Sequence, residues 1–345
     1  VIVTPTPPKA PPRATLGHAP PLGLAALVAL LIMVMALSVA VGSRSLTPGE
    51  VWHALWHPGS GSAADIVHSL RIPRTALGVL AGLAMGAAGA LTQALTRNPI
   101  ADPGLLGINA GAACAVVIGV FVAGIGGPLP TMAFGLIGAL IAATLVVGIA
   151  AATRSATPVT LVLAGSGLSA MLIALTSGIV LIDTASLDAW RFWSVGSIVG
   201  RGGDVAWAAT PLVTIGVLVA LPVAGKLNVV ALGDDLSRAL GTRLVAVQIT
   251  GIAAVAVLAG AATAACGPIV FLGLVAPHLA RFAVGADNRW VIPYSAIIGA
   301  IVLLCADIAG RIVARPGEIQ AGIMLAVIGA PFLIALVRRR HLVAT

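Results

Sequence analysis

The sequence predicts an all-α integral membrane protein with ten transmembrane helices, and three observations support this. Hydrophobic residues make up 59% of the 345 residues and charged residues only 9%, against about 25% charged in a soluble domain. Mean hydropathy is +1.10, so the chain has too few charges to cover a globule of its size in water. Its apolar residues also fall into ten runs, each near the ~20 residues that a helix needs to cross hydrocarbon.

Residues 1–21 are rich in proline, carry Lys9, Arg13 and His18, and cannot bury a core, so a disordered cytoplasmic tail is expected. The first apolar run, 22–41, is long for a signal-peptide core, although Ser38-Val39-Ala40 has the small-residue pattern of a cleavage site. It is read as a retained first helix, opening a transmembrane domain over 22–340. Short helices on the outer surface are expected near 47–57 and 186–204. In the first of these, Trp52 and Trp56 suit a membrane interface; His53 and His57, four apart, have a metal-binding spacing that an amphipathic surface helix also explains. The remaining spans are expected near 72–92, 105–125, 129–152, 159–182, 205–225, 244–265, 267–284, 291–313 and 319–337. Glycine and alanine are dense in them, as in Ala81 to Gly89, and small residues let helices approach closely in lipid.

Orientation follows from the basic residues. With both termini in the cytoplasm, twelve of the 19 fall on the inner side: Lys9, Arg13, Arg97, Arg154, Lys226, Arg238, Arg243, Arg281, Arg289, Arg338, Arg339 and Arg340. Seven face outward: Arg44, Arg71, Arg74, Arg191, Arg201, Arg311 and Arg315. Arg71 and Arg74 stand at the mouth of the second helix. Arg311 closes the ninth, four residues after Asp307, a spacing that suits an ion pair. The net charge of +8 is dispersed between apolar runs and is not a nucleic-acid footprint.

Two blocks break the apolar pattern. Arg97-Asn98-Pro99-Ile100-Ala101-Asp102-Pro103-Gly104 follows the second helix, and Cys266-Gly267-Pro268 to Pro277-His278 interrupts the later part of the chain. Irregular backbone at membrane depth persists only where it packs against protein or lines a wet cavity, so both blocks suggest a translocation path. On the inner side, Leu232-Gly233-Asp234-Asp235-Leu236-Ser237-Arg238-Ala239-Leu240-Gly241 reads as a short surface helix, with Asp234 as N-cap and Gly241 as its stop. It is more than a connection needs, so it is a candidate docking element for a partner. Cys114, Cys266 and Cys305 lie in apolar runs without a CxxC pair and read as buried thiols. The chain lacks a GxxxxGK[ST] phosphate loop. Span centres lack the carboxylates that a proton- or sodium-coupled transporter needs.

Arg71-Ile72-Pro73-Arg74, the Arg97 to Gly107 block, Ala231-Leu232-Gly233 with Ala239-Leu240-Gly241, Gly267 to Leu274 with Pro277-His278, and Gly329-Ala330-Pro331 resemble the iron-siderophore, haem and cobalamin permeases of type II ABC importers. The resemblance runs from about Thr47 to Arg340. Leu95 to Pro99, Gly107 to Ala112, Arg191-Phe192-Trp193 with Gly196-Ser197, and Val284 to Trp290 are most similar to ferric-enterobactin permease subunits. It implies a non-catalytic permease subunit in the cell membrane that imports a ferric siderophore by alternating access; haem or cobalamin is the alternative cargo, and an ion-coupled secondary transporter the alternative class. The implied partners are a second permease subunit (a paralogue favoured over a second copy), two ABC ATPase subunits that use ATP and Mg, and an extracytoplasmic siderophore-binding protein. No cofactor is expected on this chain. The resemblance assigns Arg71, Arg74 and Arg311 to binding-protein docking. It assigns Leu232, Gly233, Asp234, Asp235, Leu236, Arg238, Ala239, Leu240 and Gly241 to ATPase coupling, and Asn98 and Ile100 to the inner gate.

Overall fold

The computed structural model describes residues 20–59, 61–152 and 158–341, and among them every regular element is helical. Residues 1–19 of the Pro-rich tail and Arg154 lie outside the described residues. In chain order the helices are α1 (Pro20–Ala40), α2 (Pro48–Trp56), α3 (Ser62–Asp65), α4 (Ile72–Thr96), α5 (Ile108–Ala123), α6 (Pro128–Ala152), α7 (Pro158–Ile182), α8 (Thr184–Trp193), α9 (Gly203–Val230), α10 (Asp234–Ala239), α11 (Leu244–Cys266), α12 (Leu272–Val284), α13 (Asn288–Val313) and α14 (Ala321–His341). A π-helical segment, Ile66–Arg71, leads into α4, and a 3-10 segment, Pro103–Leu106, leads into α5.

Seven helical stretches are long and apolar enough to cross a bilayer: Pro20–Ala40, Ser62–Thr96, Pro128–Ala152, Val159–Ile182, Gly203–Val230, Leu244–Cys266 and Asn288–Val313. Three shorter apolar helices, Ile108–Ala123, Leu272–Val284 and Ala321–Leu336, accompany them. The expected run at 267–284 is helical only from Leu272, because Gly267 at φ 77° and Phe271 at φ 65° hold the backbone out of the right-handed helix.

α4 is the central post. It packs on α9, α11, α12 and α13, and the residues on its path are small. A Cβ on Gly82 would stand 2.3 Å from Ala300 Cα, one on Gly86 2.0 Å from Ser295 O, and one on Gly89 2.0 Å from Gly273 O. Association in lipid lacks the hydrophobic drive available in water, so this close van der Waals approach is what holds α4 to α13 and α12. At its periphery, α1 and α7 expose most of their apolar side chains, as a lipid or partner surface requires.

The α8-side loop meets the break before α12. Ser197 N–H donates to Cys266 O at 2.6 Å, and Gly322 N–H donates to Gly196 O at 3.0 Å. Gly196 (φ 72°) abuts Pro268 O, and Gly267 abuts Trp193 O. Within this chain the Cys266–Pro268 end of the break packs against the backbone of the α8-side loop, while Val270 further along it stays 46% exposed.

Candidate functional site

Two polar centres lie at opposite ends of α4, whose 25 residues separate them by about 37 Å at 1.5 Å per residue. At the first end, α1 terminates with carbonyls that have no helical partner, a requirement acute at membrane depth. Two guanidiniums supply the donors. Arg71 Nη1 donates to Val39 O at 2.9 Å and Ala40 O at 2.7 Å, and its Nη2 to Arg44 O at 2.7 Å. Arg311 Nη1 donates to Ser38 O at 2.8 Å and Val41 O at 2.7 Å, and its Nη2 to Ser38 Oγ at 2.8 Å. The positive charges also oppose the negative end of the helix dipole.

Asp307, fully buried, joins these groups. It accepts from Arg74 Nη2 at 2.6 Å and from Arg74 Nε, and it pairs with Arg311 through Nε at 2.9 Å and Nη2. Arg74 Nη1 reaches on to Glu318 at 2.6 Å. Burial alone would raise the Glu318 carboxyl. Hydrogen bonds from Arg74 and Ser43, with the charges of Arg74 and Arg311, outweigh it and hold the group below the ordinary glutamate range.

The three arginines expected to face a docking partner are thus turned inward: Arg71, Arg74 and Arg311 are 4%, 8% and 1% exposed. The α1 carbonyls and the Asp307 carboxylate draw them in. They still border a cavity of about 540 Å³, together with Arg44, Arg201 and Glu318. That cavity has more guanidinium than carboxylate on its walls. The sequence places Arg44 and Arg201 on the outward side without joining them to Arg74, and it does not mark Glu318; nothing local shows that Arg201 and Glu318, more than 120 residues on, share a wall with Arg74.

At the other end, Arg97 closes α4 in the left-handed region at φ 50°. Asn98 Oδ1 accepts Ile100 N–H at 3.1 Å, which turns the chain and leaves Ile100 half exposed. Asp102 then caps the 3-10 segment through Gly104 N–H at 2.8 Å. Its second carboxylate oxygen is buried without a hydrogen-bond partner, and burial pushes the carboxyl up against the pull of the Gly104 bond. Beside this loop, Gln93 accepts from Arg281 Nη1 and donates to Gly273 O, tying α4 to α12.

α10 stands at this same end. Its N-cap is Gly233, at φ 107°, and not Asp234 as the sequence suggested. A glycine tolerates that dihedral, and the Asp234 carboxylate is thereby released to pair with Arg97. Gly241, at φ 76°, follows the C-cap Leu240 as the helix stop. Ser237 Oγ roots the helix on α9, donating to Val229 O at 2.8 Å and Gly233 O at 2.6 Å. With the root fixed, Leu232, Leu236 and Leu240 remain 60%, 49% and 59% exposed. Asp235, Arg238, Ala239 and Gly241 complete the exposed segment. The sequence alone marks neither Arg97 nor Ser237 as a partner of this helix. His53 and His57 stack at 4.3 Å on α2, and among the described residues no three His, Cys, Asp or Glu side chains form a metal-binding group.

A multi-pass helical bundle with a small-residue central post, irregular segments packed within it, and a short helix presented at one end defines the class: a membrane transport permease. Residues 30–339 match the FecCD transport family, and the chain belongs to that family. It is 44% identical over 316 residues to the ferric enterobactin transport system permease protein FepD of Escherichia coli (strain K12), covering 91% of this chain and 94% of that one. It is 36% identical to the siderophore transport system permease protein YfiZ of Bacillus subtilis (strain 168), covering 92% and 95%. Among solved structures, a metal-chelate type ABC transporter in an inward-facing conformation superposes with a TM-score of 0.82 at 25% identity, covering 92% of this chain and 99% of that one.

Proposed function

We propose that this chain is the permease subunit of an ATP-driven importer that carries a ferric siderophore across the cell membrane. The observation that carries the reading is the exposed leucine face of α10, rooted by Ser237 and paired to the loop of Asn98 and Ile100, in a chain similar along its length to siderophore permeases. All ten apolar helices cross the bilayer, with both termini in the cytoplasm. The irregular flanks of α5, α12 and α14 complete their shorter crossings.

In this reading Leu232, Leu236 and Leu240 enter a cleft of an ATPase subunit, with Asp235 and Arg238 as the polar rim. The outer cavity receives a carboxylate of the siderophore-binding protein. Arg44 and Arg201 meet it first, and Arg71, Arg74 and Arg311 supply the positive field behind them. A paralogous permease completes the path, and ATP and Mg act on the partner ATPases. The chain offers two packed conformations, and the nucleotide state of the ATPases selects between them.

Reconstitution in proteoliposomes with the ATPase and the binding protein tests this. Uptake of ferric enterobactin should require ATP and persist when the proton gradient is collapsed. Uptake driven by a proton or sodium gradient without ATP would refute it in favour of a secondary transporter.

A further inference from the structure

Resting on the reading of α10 as the ATPase-docking helix, we propose that the Arg97–Asp234 pair is the strap through which a displacement of α10 reaches the gate segment of Asn98 and Ile100. Arg97 is then a positioning residue for transport. Three observations support it.

The first is the asymmetry of the fastenings of α10. Its root is held by the Ser237 bond to Val229 O of α9. The end of α9 is held in turn to the start of α13: Asn228 Nδ2 donates to Asp287 Oδ1 at 2.6 Å, and Asn228 Oδ1 accepts from Asn288 N–H and Nδ2, each at 2.9 Å. Toward the gate segment, the Arg97–Asp234 pair is the one ion pair among the described residues.

The second is the stiffness of the segment from Asn98 to Leu106. Asn98 N–H donates to Gln93 O at 3.1 Å, the Asn98 side chain fixes Ile100, and Asp102 caps Pro103–Leu106. Leu105 O lies 1.9 Å from where a Gly165 Cβ would stand, so the segment is pressed onto α7. A pull on Arg97 is not absorbed locally and moves Asn98 to Leu106 together.

The third is the chain geometry at both partners. Arg97 adopts the left-handed dihedral that glycine usually occupies at a helix end, and Gly233 takes the cap that an aspartate would ordinarily take. Both departures bring the two charged groups together.

The pair is partly exposed, with side chains 38% and 52% accessible, so its strength is that of a surface ion pair and salt weakens it. The test uses the full complex in proteoliposomes and measures siderophore uptake per ATP hydrolysed for wild type, Arg97→Glu, Asp234→Arg and the double swap. Each reversal should lower that ratio by about three- to fivefold, compared at ATPase content matched to wild type, and the swap should restore it to within about twofold. Raising salt should lower the wild-type ratio more steeply than that of Arg97→Gln, which keeps only the salt dependence of the rest of the complex, a difference that a merely structural role would not give. Should a reversal fail to assemble, Arg97→Gln and Asp234→Asn carry the comparison. Equal ratios across all variants, or reversals that the swap does not rescue, overturn the strap while leaving the importer reading intact. A wild-type complex with no ATP-driven uptake overturns the importer reading itself and the strap with it.

Discussion

Asp307→Asn should destabilise the protein more than any other single polar substitution in the network of Arg71, Arg74, Arg311, Asp307 and Glu318. Asp307 is 0% exposed and is shared by Arg74 and Arg311, themselves 8% and 1% exposed. Arg71, Arg74 and Arg311 set three positive charges against Asp307 and Glu318, so neutralising Asp307 leaves three against one. Removing one partner of a buried pair costs about 3–5 kcal/mol, because the remaining charge stays buried and uncompensated. With ~2.1 cal/mol/K of unfolding entropy per residue, a figure drawn from soluble proteins, a chain of 345 residues has roughly 0.7 kcal/mol/K. The expected loss in thermal midpoint is then about 4–7 °C. Glu318→Gln, at a site 22% exposed with Arg74 as its ion-pair partner, should lose about 1 kcal/mol, or roughly 1–2 °C. The assay is thermal unfolding of the purified protein in detergent, followed by tryptophan fluorescence. An Asp307→Asn midpoint within 1 °C of wild type, or a Glu318→Gln shift as large, would refute the claim that Asp307 is the electrostatic centre of this end.

The same network gives a pH dependence. Because the folded Glu318 carboxyl lies below its ordinary range, its contribution is complete above the ordinary glutamate pKa and is lost as pH falls through the lowered folded value; thermal midpoints of wild type and Glu318→Gln should converge on acidification below about pH 4.3. Gly86→Val should break the α4–α13 contact, since its Cβ meets Ser295 O at 2.0 Å, whereas Gly148→Ala, with open space around it, should hold or gain up to ~1 kcal/mol; folded yield after extraction compares the two. Leu240→Asp should uncouple ATP hydrolysis from uptake or release the ATPase while membrane insertion is unchanged, as pull-down and uptake assays of the same preparation would reveal; wild-type uptake in this variant would reduce α10 to a connection. Ser237→Ala should loosen the root of α10 and lower ATPase retention, because the side-chain hydrogen bond from α10 to Val229 O of α9 is lost; unchanged retention would mean that packing alone seats the helix.

Apolar run length located the helices well because the length of a bilayer-spanning helix is fixed by hydrocarbon thickness. α1, α6, α7, α11 and α13 start and end within a few residues of their runs. The errors fall where backbone geometry, and not hydropathy, decides the boundary. Residues 267–271 are apolar yet irregular, since Gly267 and Phe271 adopt positive φ to pass the Trp193–Ser197 loop. The Asp307–Arg311 pair was legible because four residues on one helix share a face. Its extension to Arg74, 233 residues away, and to Ser38, 273 away, was not, because no local pattern marks a carbonyl that lacks a donor. Likewise the segment at 232–241 reads as a short helix, but whether Asp234 caps it or pairs outward depends on Arg97, 137 residues earlier.

The burial of the arginines also accounts for the modest charge asymmetry across the membrane. Under the proposed orientation seven of the 19 basic residues sit on the outer side, where the positive-inside rule disfavours them. Three of these seven are not free loop charges. Arg71 and Arg311 provide donors for the last carbonyls of α1, and Arg74 and Arg311 neutralise Asp307. Asp307 and Glu318 match two of these three charges inside the fold, and a matched charge contributes less to orientation than a solvated one, so the effective bias is steeper than the raw count while one positive charge is left over. Under the proposed docking of a binding protein at this cavity, the same burial makes the arginines a field source. Arg44 is solvent-facing at the cavity, while Arg71, Arg74 and Arg311 add positive potential from behind low-dielectric walls, where screening by salt is weak. Reversing Arg44 should therefore change the rate of binding-protein association and its salt dependence, whereas Arg311→Glu should unfold this end of the bundle before docking is reached. Stopped-flow association separates the two if Arg44→Glu folds normally and associates more slowly at low salt. Equal association rates for wild type and Arg44→Glu at every ionic strength would remove the cavity from the docking pathway.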